Sequence, residues 1–120
     1  MTWDDVLHFL QAQQAVIDED ECATVLLQGA KLRVSFSETT NEVGVVANVA
    51  TAMGLTEREI EAAGSGLLTG KLVVVSDRIL ICHLAPAAEL DKRQLAAILS
   101  SMASQIITLR MRWTMPMFAA

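Results

Sequence analysis

The residues best placed to do chemistry lie at Gly64–Lys71, GSGLLTGK. A glycine-rich loop ending in lysine suggests a phosphate cradle, in which backbone amides and an ammonium group hold the oxygens of a nucleotide. That motif reads G-x-x-x-x-G-K-[ST]. Counting back from Gly70 and Lys71, its first glycine should stand where this chain has Ser65. Its closing hydroxyl, which would reach magnesium, is replaced by Leu72. The context is also reversed. A phosphate loop leaves a strand and enters a helix, whose N-terminal amides face the anion. Here the pattern places a helix before the glycines and a strand after them, so the nearby helix end is the electronegative one. The expected structure is a glycine cap, a short flexible loop and a strand opening at Lys71.

Other reactive groups are sparse. His8 and His83 are the two histidines, and Cys22 and Cys82 the two cysteines. Cys82 and His83 are adjacent, so on a strand they point to opposite faces and cannot pair as thiol and imidazole. Ser35, His83 and Asp77 could be assembled into a triad on paper, but no GxSxG elbow supports it. The acidic run Asp18–Glu21 lacks the twelve-residue spacing and central glycine of a calcium loop, and reads as a solvated connection. The His and Cys count is too low for a closed zinc site. No catalytic, metal-ligating or cofactor-binding residue is assigned, and no cofactor is expected.

The elements that would position these groups follow from periodicity. Thr2 and Asp5 form a capping pair, and Trp3, Val6, Leu7 and Leu10 mark one face of a helix to about Ala15. Phe9 lies off that stripe. Three strands follow: ATVLLQ, KLRVSFS and VGVVANVAT. The middle one alternates, with Leu32, Val34 and Phe36 on one face. Thr56 and Glu59 open a second helix with Ile60, Ala63 and Leu67 on its thin apolar face. KLVVVS and RILICHLA flank Asp77 as a tight hairpin, apolar on both faces. Leu90, Asp91 and Gln94 open the last helix as staple, cap and capping-box partner. Its stripe, from Leu95 through Met102 to Trp113, implies a rod roughly 35 Å long. The result is an α+β fold in a single domain, residues 1–114, of order α-β-β-β-α-β-β-α: an antiparallel sheet flanked by helices. Residues 115–120 form a short apolar tail. Met102 is read as core. Met111, Met115 and Met117 are divided between gap-filling and an adaptable binding surface.

Composition narrows the function. The chain has 120 residues and is 52% hydrophobic, with a mean hydropathy of +0.41. No apolar run reaches the roughly 18 residues of a membrane span. Surplus apolar surface of this kind is commonly covered by another polypeptide. The nine Lys and Arg are scattered and the net charge is −5, which argues against nucleic acid and against an anionic membrane surface. The N-terminus, MTWDDVLHF, has the wrong charge for a signal or transit peptide. Two unpaired cysteines suit a reducing, cytoplasmic setting.

Together, the element order, size and acidity resemble the class I type III secretion chaperones of the Tir-chaperone type. The likeness is strongest over residues 61–113, EAAGSGLLTGKLVVVSDRILICHLAPAAELDKRQLAAILSSMASQIITLRMRW. There a short helix leads through a glycine turn to two strands joined by a tight acidic turn. The Leu90, Asp91, Leu95 opening then starts a long helix ending at Trp113. The resemblance implies a dimeric, non-enzymatic virulence chaperone in the cytoplasm. It would hold the N-terminal segment of a secreted effector in an extended form for export. It implies a dimer contact through Ile60, Ala63, Leu67, Leu72 and Val74, and partner grooves drawing on Val6, Phe9, Leu10, Val34 and Phe36. A homodimer is the simplest assembly, and pairing with a second chaperone is left open. Two alternatives stand beside this reading: a general dimerisation or regulatory adaptor of the same fold, and a small ligand-binding or enzymatic domain. The lack of paired carboxylates or a histidine cluster weighs against the last.

Overall fold

The computed structural model describes residues 1–18 and 22–114. The elements in chain order are α1 (Trp3–Ala12), β1 (Val16–Ile17), β2 (Ala23–Leu27), β3 (Ala30–Ser37), β4 (Glu42–Thr51), α2 (Glu57–Ser65), β5 (Lys71–Val75), β6 (Arg78–Pro86), a 3-10 turn (Ala87–Glu89) and α3 (Lys92–Thr114). The α+β expectation holds, with one strand added. Helix α1 stops at Ala12 instead of reaching Ala15, because Gln14 turns into the left-handed region. The chain that follows adds Val16 and Ile17 to the sheet opposite Thr24 and Ala23. Glu19–Glu21, most of the acidic run, and the tail at 115–120 lie outside the described residues.

The sheet has six strands in the order β1-β2-β3-β4-β6-β5, antiparallel throughout. Two-residue turns set the register of two hairpins. Gln28 and Gly29, both at positive φ, join Leu27 to Ala30, and Ser76 and Asp77 join Val75 to Arg78. Positive φ at such positions matches the right-handed twist of the flanking strands. All three sequence-level caps form. Thr2 and Asp5, Thr56 and Glu59, and Asp91 and Gln94 each exchange backbone and side-chain hydrogen bonds.

Alternation along the strands sends one set of side chains into the core. Val25, Leu32, Val34, Val43, Val45, Ile79 and Ile81 are buried on this face. Val6 and Leu10 of α1 cover it, as do Leu95, Leu99, Met102, Ala103, Ile106 and Leu109 of α3. Fully burying a side chain of this size contributes about 1.5–3 kcal/mol. Helix α2 packs beside β5, where its Gly64 lies over Leu72. Strand β4 carries a bulge at Val49, between the pairs Asn48–Leu80 and Ala50–Ile79. The Arg110 guanidinium donates to the carbonyls of Asn48 and Val49 at 2.8 and 2.9 Å, tying α3 to that bulge.

Candidate interaction surfaces

The glycine loop is built as a support, not a cradle. Gly66 caps α2 and β5 opens at Lys71, the helix-then-strand order expected from the sequence. The loop is pinned, however, and this corrects the expectation of flexibility. The side chain of Gln105, from the middle of α3, accepts from the amides of Leu68 and Thr69 at 2.6 and 3.2 Å and donates to the Thr69 carbonyl at 2.7 Å. The hydroxyls of Thr69 and Ser101 pair at 2.8 Å. The two amides that could face an anion are thus already committed to a neutral amide oxygen. Gly70 has φ of +83°, and a Cβ there would stand 2.8 Å from the Cys82 carbonyl, so only glycine fits without a shift. Leu68, at the tip, is 93% exposed.

The five partner-groove residues separate into two groups. Val6, Leu10 and Val34 are sealed in the core and can only shape a groove from beneath. Phe9 and Phe36 are half-buried and line clefts on either side of α1. Phe36 stacks on Trp3 with ring centroids 5.6 Å apart, at the edge of a cleft of about 490 Å³ shared with Asn41 and Ala88. Phe9 borders a cleft of about 200 Å³ with Val25, Leu27, Ala96 and Leu99. The five residues assigned to a dimer contact cluster about α2 and β5. Ala63 is buried between these elements; Ile60, Leu67 and Leu72 are half-buried; Val74 is exposed.

A larger surface was legible only in outline: the runs of β5 and β6, apolar on both faces, read as central in a sheet or set against another subunit, and of the two β6 is interior while β5 is the edge strand. The sheet face opposite the core carries no helix among the described residues. Strand partners on it are Val46 with Cys82, Gly44 with Leu84, Asn48 with Leu80, and Leu80 with Val73. Leu84 is 65% exposed, and Val73 and Val75 stand out at 42% and 52%. Toward β2 and β3 the same face is mixed: Thr24, Lys31, Arg33 and Ser35 are polar, while Leu26 and, on β1, Val16 stand exposed among them at 68% and 70%. Its continuous apolar part lies on β4, β6 and β5, and runs into the edge of the sheet at β5. The usable signal was Leu80, Cys82 and Leu84 at alternate positions, interleaved with Ile79 and Ile81. In a strand apolar on both faces, period two alone does not say which set faces the core.

Electrostatics add little chemistry. Arg33 and Asp18 form an exposed ion pair at 3.1 Å, a contact of the kind worth about 0–1 kcal/mol. Hydrogen bonds from the Thr2 backbone, and next from its side chain, hold the Asp5 carboxyl below its usual value. Burial pushes the Cys82 thiol up and so keeps it protonated. Cys82 shares the open face with Val46, whereas His83 lies opposite Val45 on the core face, as strand alternation requires. No group of three His, Cys, Asp or Glu side chains is arranged to hold a metal among the described residues. Nor is any described helix long and apolar enough to cross a membrane.

No protein-family model matches the sequence, and no curated protein matches it. Solved structures do match. A chain of the HopA1–SchA chaperone–effector complex superposes with a TM-score of 0.74 at 12% identity, over 90% of this chain and 93% of that one. The Yersinia pestis type III secretion chaperone SycH, solved with a stable fragment of YscM2, gives 0.70 at 16% identity, over 90% and 99%. The fold is that of the class I type III secretion chaperones. YbjN of E. coli, described as a putative transcription regulator, matches at 0.68 and 14% identity, over 93% and 90%. The chaperone fold thus also occurs in a protein of a different description.

Proposed function

We propose that this chain is a non-enzymatic chaperone of type III secretion that binds the N-terminal segment of a secreted effector and keeps it export-competent. Its place of action is the cytoplasm, and its working form is a homodimer. The observation that carries the reading is the division of the apolar surface. One sheet face is sealed by α1 and α3, while the other, on β4, β6 and β5, is left greasy and open to the edge. A free edge strand can take an extended peptide by main-chain hydrogen bonding, with alternate side chains entering neighbouring pockets. The clefts at Phe9 and Phe36 suit short apolar anchors of a segment wrapped around α1. Ile60, Leu67, Leu72 and Val74, with Ala63 beneath them, form the contact between two copies. The likeness to chaperone–effector complexes supports this assignment at the level of fold.

The second reading, a dimeric regulatory adaptor, is favoured by the likeness to YbjN. Co-expression with the secreted proteins encoded beside this chain separates the two. Co-purification of one N-terminal segment, with loss on Phe9→Asp or Phe36→Asp, supports the chaperone. Retention of no such segment by a correctly folded dimer rejects it in favour of the adaptor.

A further inference from the structure

We propose that the edge at β5 selects an acidic partner: the segment that pairs there is an extended strand with an apolar residue facing Val73 and carboxylates flanking it two residues to either side. This deepens the chaperone reading given above and rests on it. Lys71 pairs with Cys82, Val73 with Leu80 and Val75 with Arg78, and all three pairs share the open sheet face. The edge therefore has an apolar centre, Val73 and Leu80, with one cation toward each end, Lys71 on β5 and Arg78 on β6. Four residues of strand, about 13 Å, separate these ends. A strand added beside β5 turns every second side chain to this face, and three in succession meet Lys71, Val73 and Val75. Arg78 stands one strand, about 5 Å, behind Val75. Opposite charges on neighbouring strands attract and like charges repel. The pattern acid-x-apolar-x-acid thus suits the edge, and it reads the same in either chain direction.

The charges of this corner run against those of the chain. Asp and Glu number 14 against nine Lys and Arg, yet β5 and β6 hold Lys71 and Arg78 and no carboxylate. Neither cation makes an ion pair among the described residues. Arg33, across Val46 and Cys82 in the same row as Lys71, is by contrast engaged with Asp18. Two acids lie within view. Glu42 faces Pro86, about 13 Å along the strand from the Lys71 row and beyond the screening length of about 8 Å. Asp77 sits in the turn beside Arg78, which leaves Lys71 the stronger of the two poles. A second copy of this chain fits poorly. Two β5 strands paired antiparallel about Val73 would set each Lys71 opposite the other copy's Val75, and so beside its Arg78.

The test is fluorescence polarisation of the full chain against labelled peptides centred on Glu-Thr-Val-Thr-Glu, Gln-Thr-Val-Thr-Gln and Lys-Thr-Val-Thr-Lys. The acidic peptide should bind at least about threefold more tightly than the neutral one, and the basic one most weakly. The gap should close in about 1 M salt, where screening acts over about 3 Å. Lys71→Glu/Arg78→Glu should invert the order; both side chains are exposed, and circular dichroism verifies that the variant folds. Equal binding of the acidic and neutral peptides overturns the charge selection. A folded chain that binds none of the peptides, yet captures an effector segment on co-expression, overturns this inference and leaves the chaperone reading standing. Failure to capture any such segment removes the reading on which it rests. A change in sedimentation of the chain alone on Lys71→Glu/Arg78→Glu puts a second copy at this edge and also overturns the inference.

Discussion

Gln105 and Thr69 are joined reciprocally: the Gln105 Nε2 donates to the Thr69 carbonyl at 2.7 Å, and the Gln105 Oε1 accepts from the Thr69 amide at 3.2 Å. One side chain of α3 thereby substitutes for a strand neighbour along the α2–β5 loop. Gln105→Ala should cost about 1–3 kcal/mol, because it leaves the partly buried Thr69 amide and carbonyl without their partner. Urea unfolding would measure the loss. Hydrogen exchange should show faster exchange at Leu68 and Thr69 than at the strand amides of β6.

Two glycines should respond in opposite ways. Gly70→Ala forces a side chain into the left-handed region and against the Cys82 backbone, at a cost of at least about 2 kcal/mol. At Gly44, the one tight contact of a Cβ is with the Leu84 Cδ2 at 3.2 Å, the Ser35 Oγ at 3.5 Å being ordinary van der Waals contact, and Leu84 is free to swing toward solvent. Gly44→Ala should be neutral or stabilise β4 by up to about 1 kcal/mol. Thermal unfolding of the pair tests the contrast.

Neighbouring residues of β6 should separate stability from binding. Ile81 is fully buried, and Ile81→Ala should cost about 2–5 kcal/mol. Leu84→Ser, on the open face, should shift stability within about 0.5 kcal/mol. It should nevertheless impair association with a second polypeptide. Denaturant titration beside a pull-down distinguishes the two effects.

The α1 cap should weaken in acid. Asp5 has a lowered pKa because the Thr2 backbone N–H, foremost, bonds to its carboxylate. A depressed folded value means that this stabilisation is present above the ordinary value of 3.8 and is lost as pH falls through the lower folded one. The stability gap between wild type and Asp5→Asn should therefore close as pH drops below that value. Unfolding curves recorded from neutral pH into the acid range would show it.

Cys82 carries the opposite sign. Its thiol is raised by burial, so ionisation favours the unfolded chain, and stability should decline as pH rises above the ordinary value of 9.0. At pH 8 it should alkylate more slowly than the same thiol in an unfolded peptide. Mass spectrometry of partially labelled protein reads this directly.

Caps and periodicity made most of the architecture readable. Thr2, Thr56 and Asp91 each announced a helix start through an acceptor three residues later, and α3 showed its buried stripe without ambiguity. Strand β1 was not readable, because two residues, Val16 and Ile17, are too short a run to show period two. The pinned loop was equally hidden: Gln105 and Thr69 are 36 residues apart, and nothing local marks a glutamine as a clamp. Val6, Leu10 and Val34 illustrate a different limit. Their apolar character was plain, but apolar residues that seal a core look the same in sequence as those that line a groove.

The bulge at Val49 makes tolerance to length change uneven along this polypeptide. Upstream of it, odd-numbered residues of β4 point inward; beyond it, Ala50 takes over opposite Ile79. Loss of the Val49 codon would close the bulge with Ala50 still opposite Ile79 and Thr51 opposite Arg78, but would remove a buried side chain and the carbonyl that Arg110 holds. The same loss at Thr39 or Thr40 would only shorten a hairpin tip. Natural variants with altered spacing should therefore cluster at the tip and be missing from the stretch between Asn48 and Ala50.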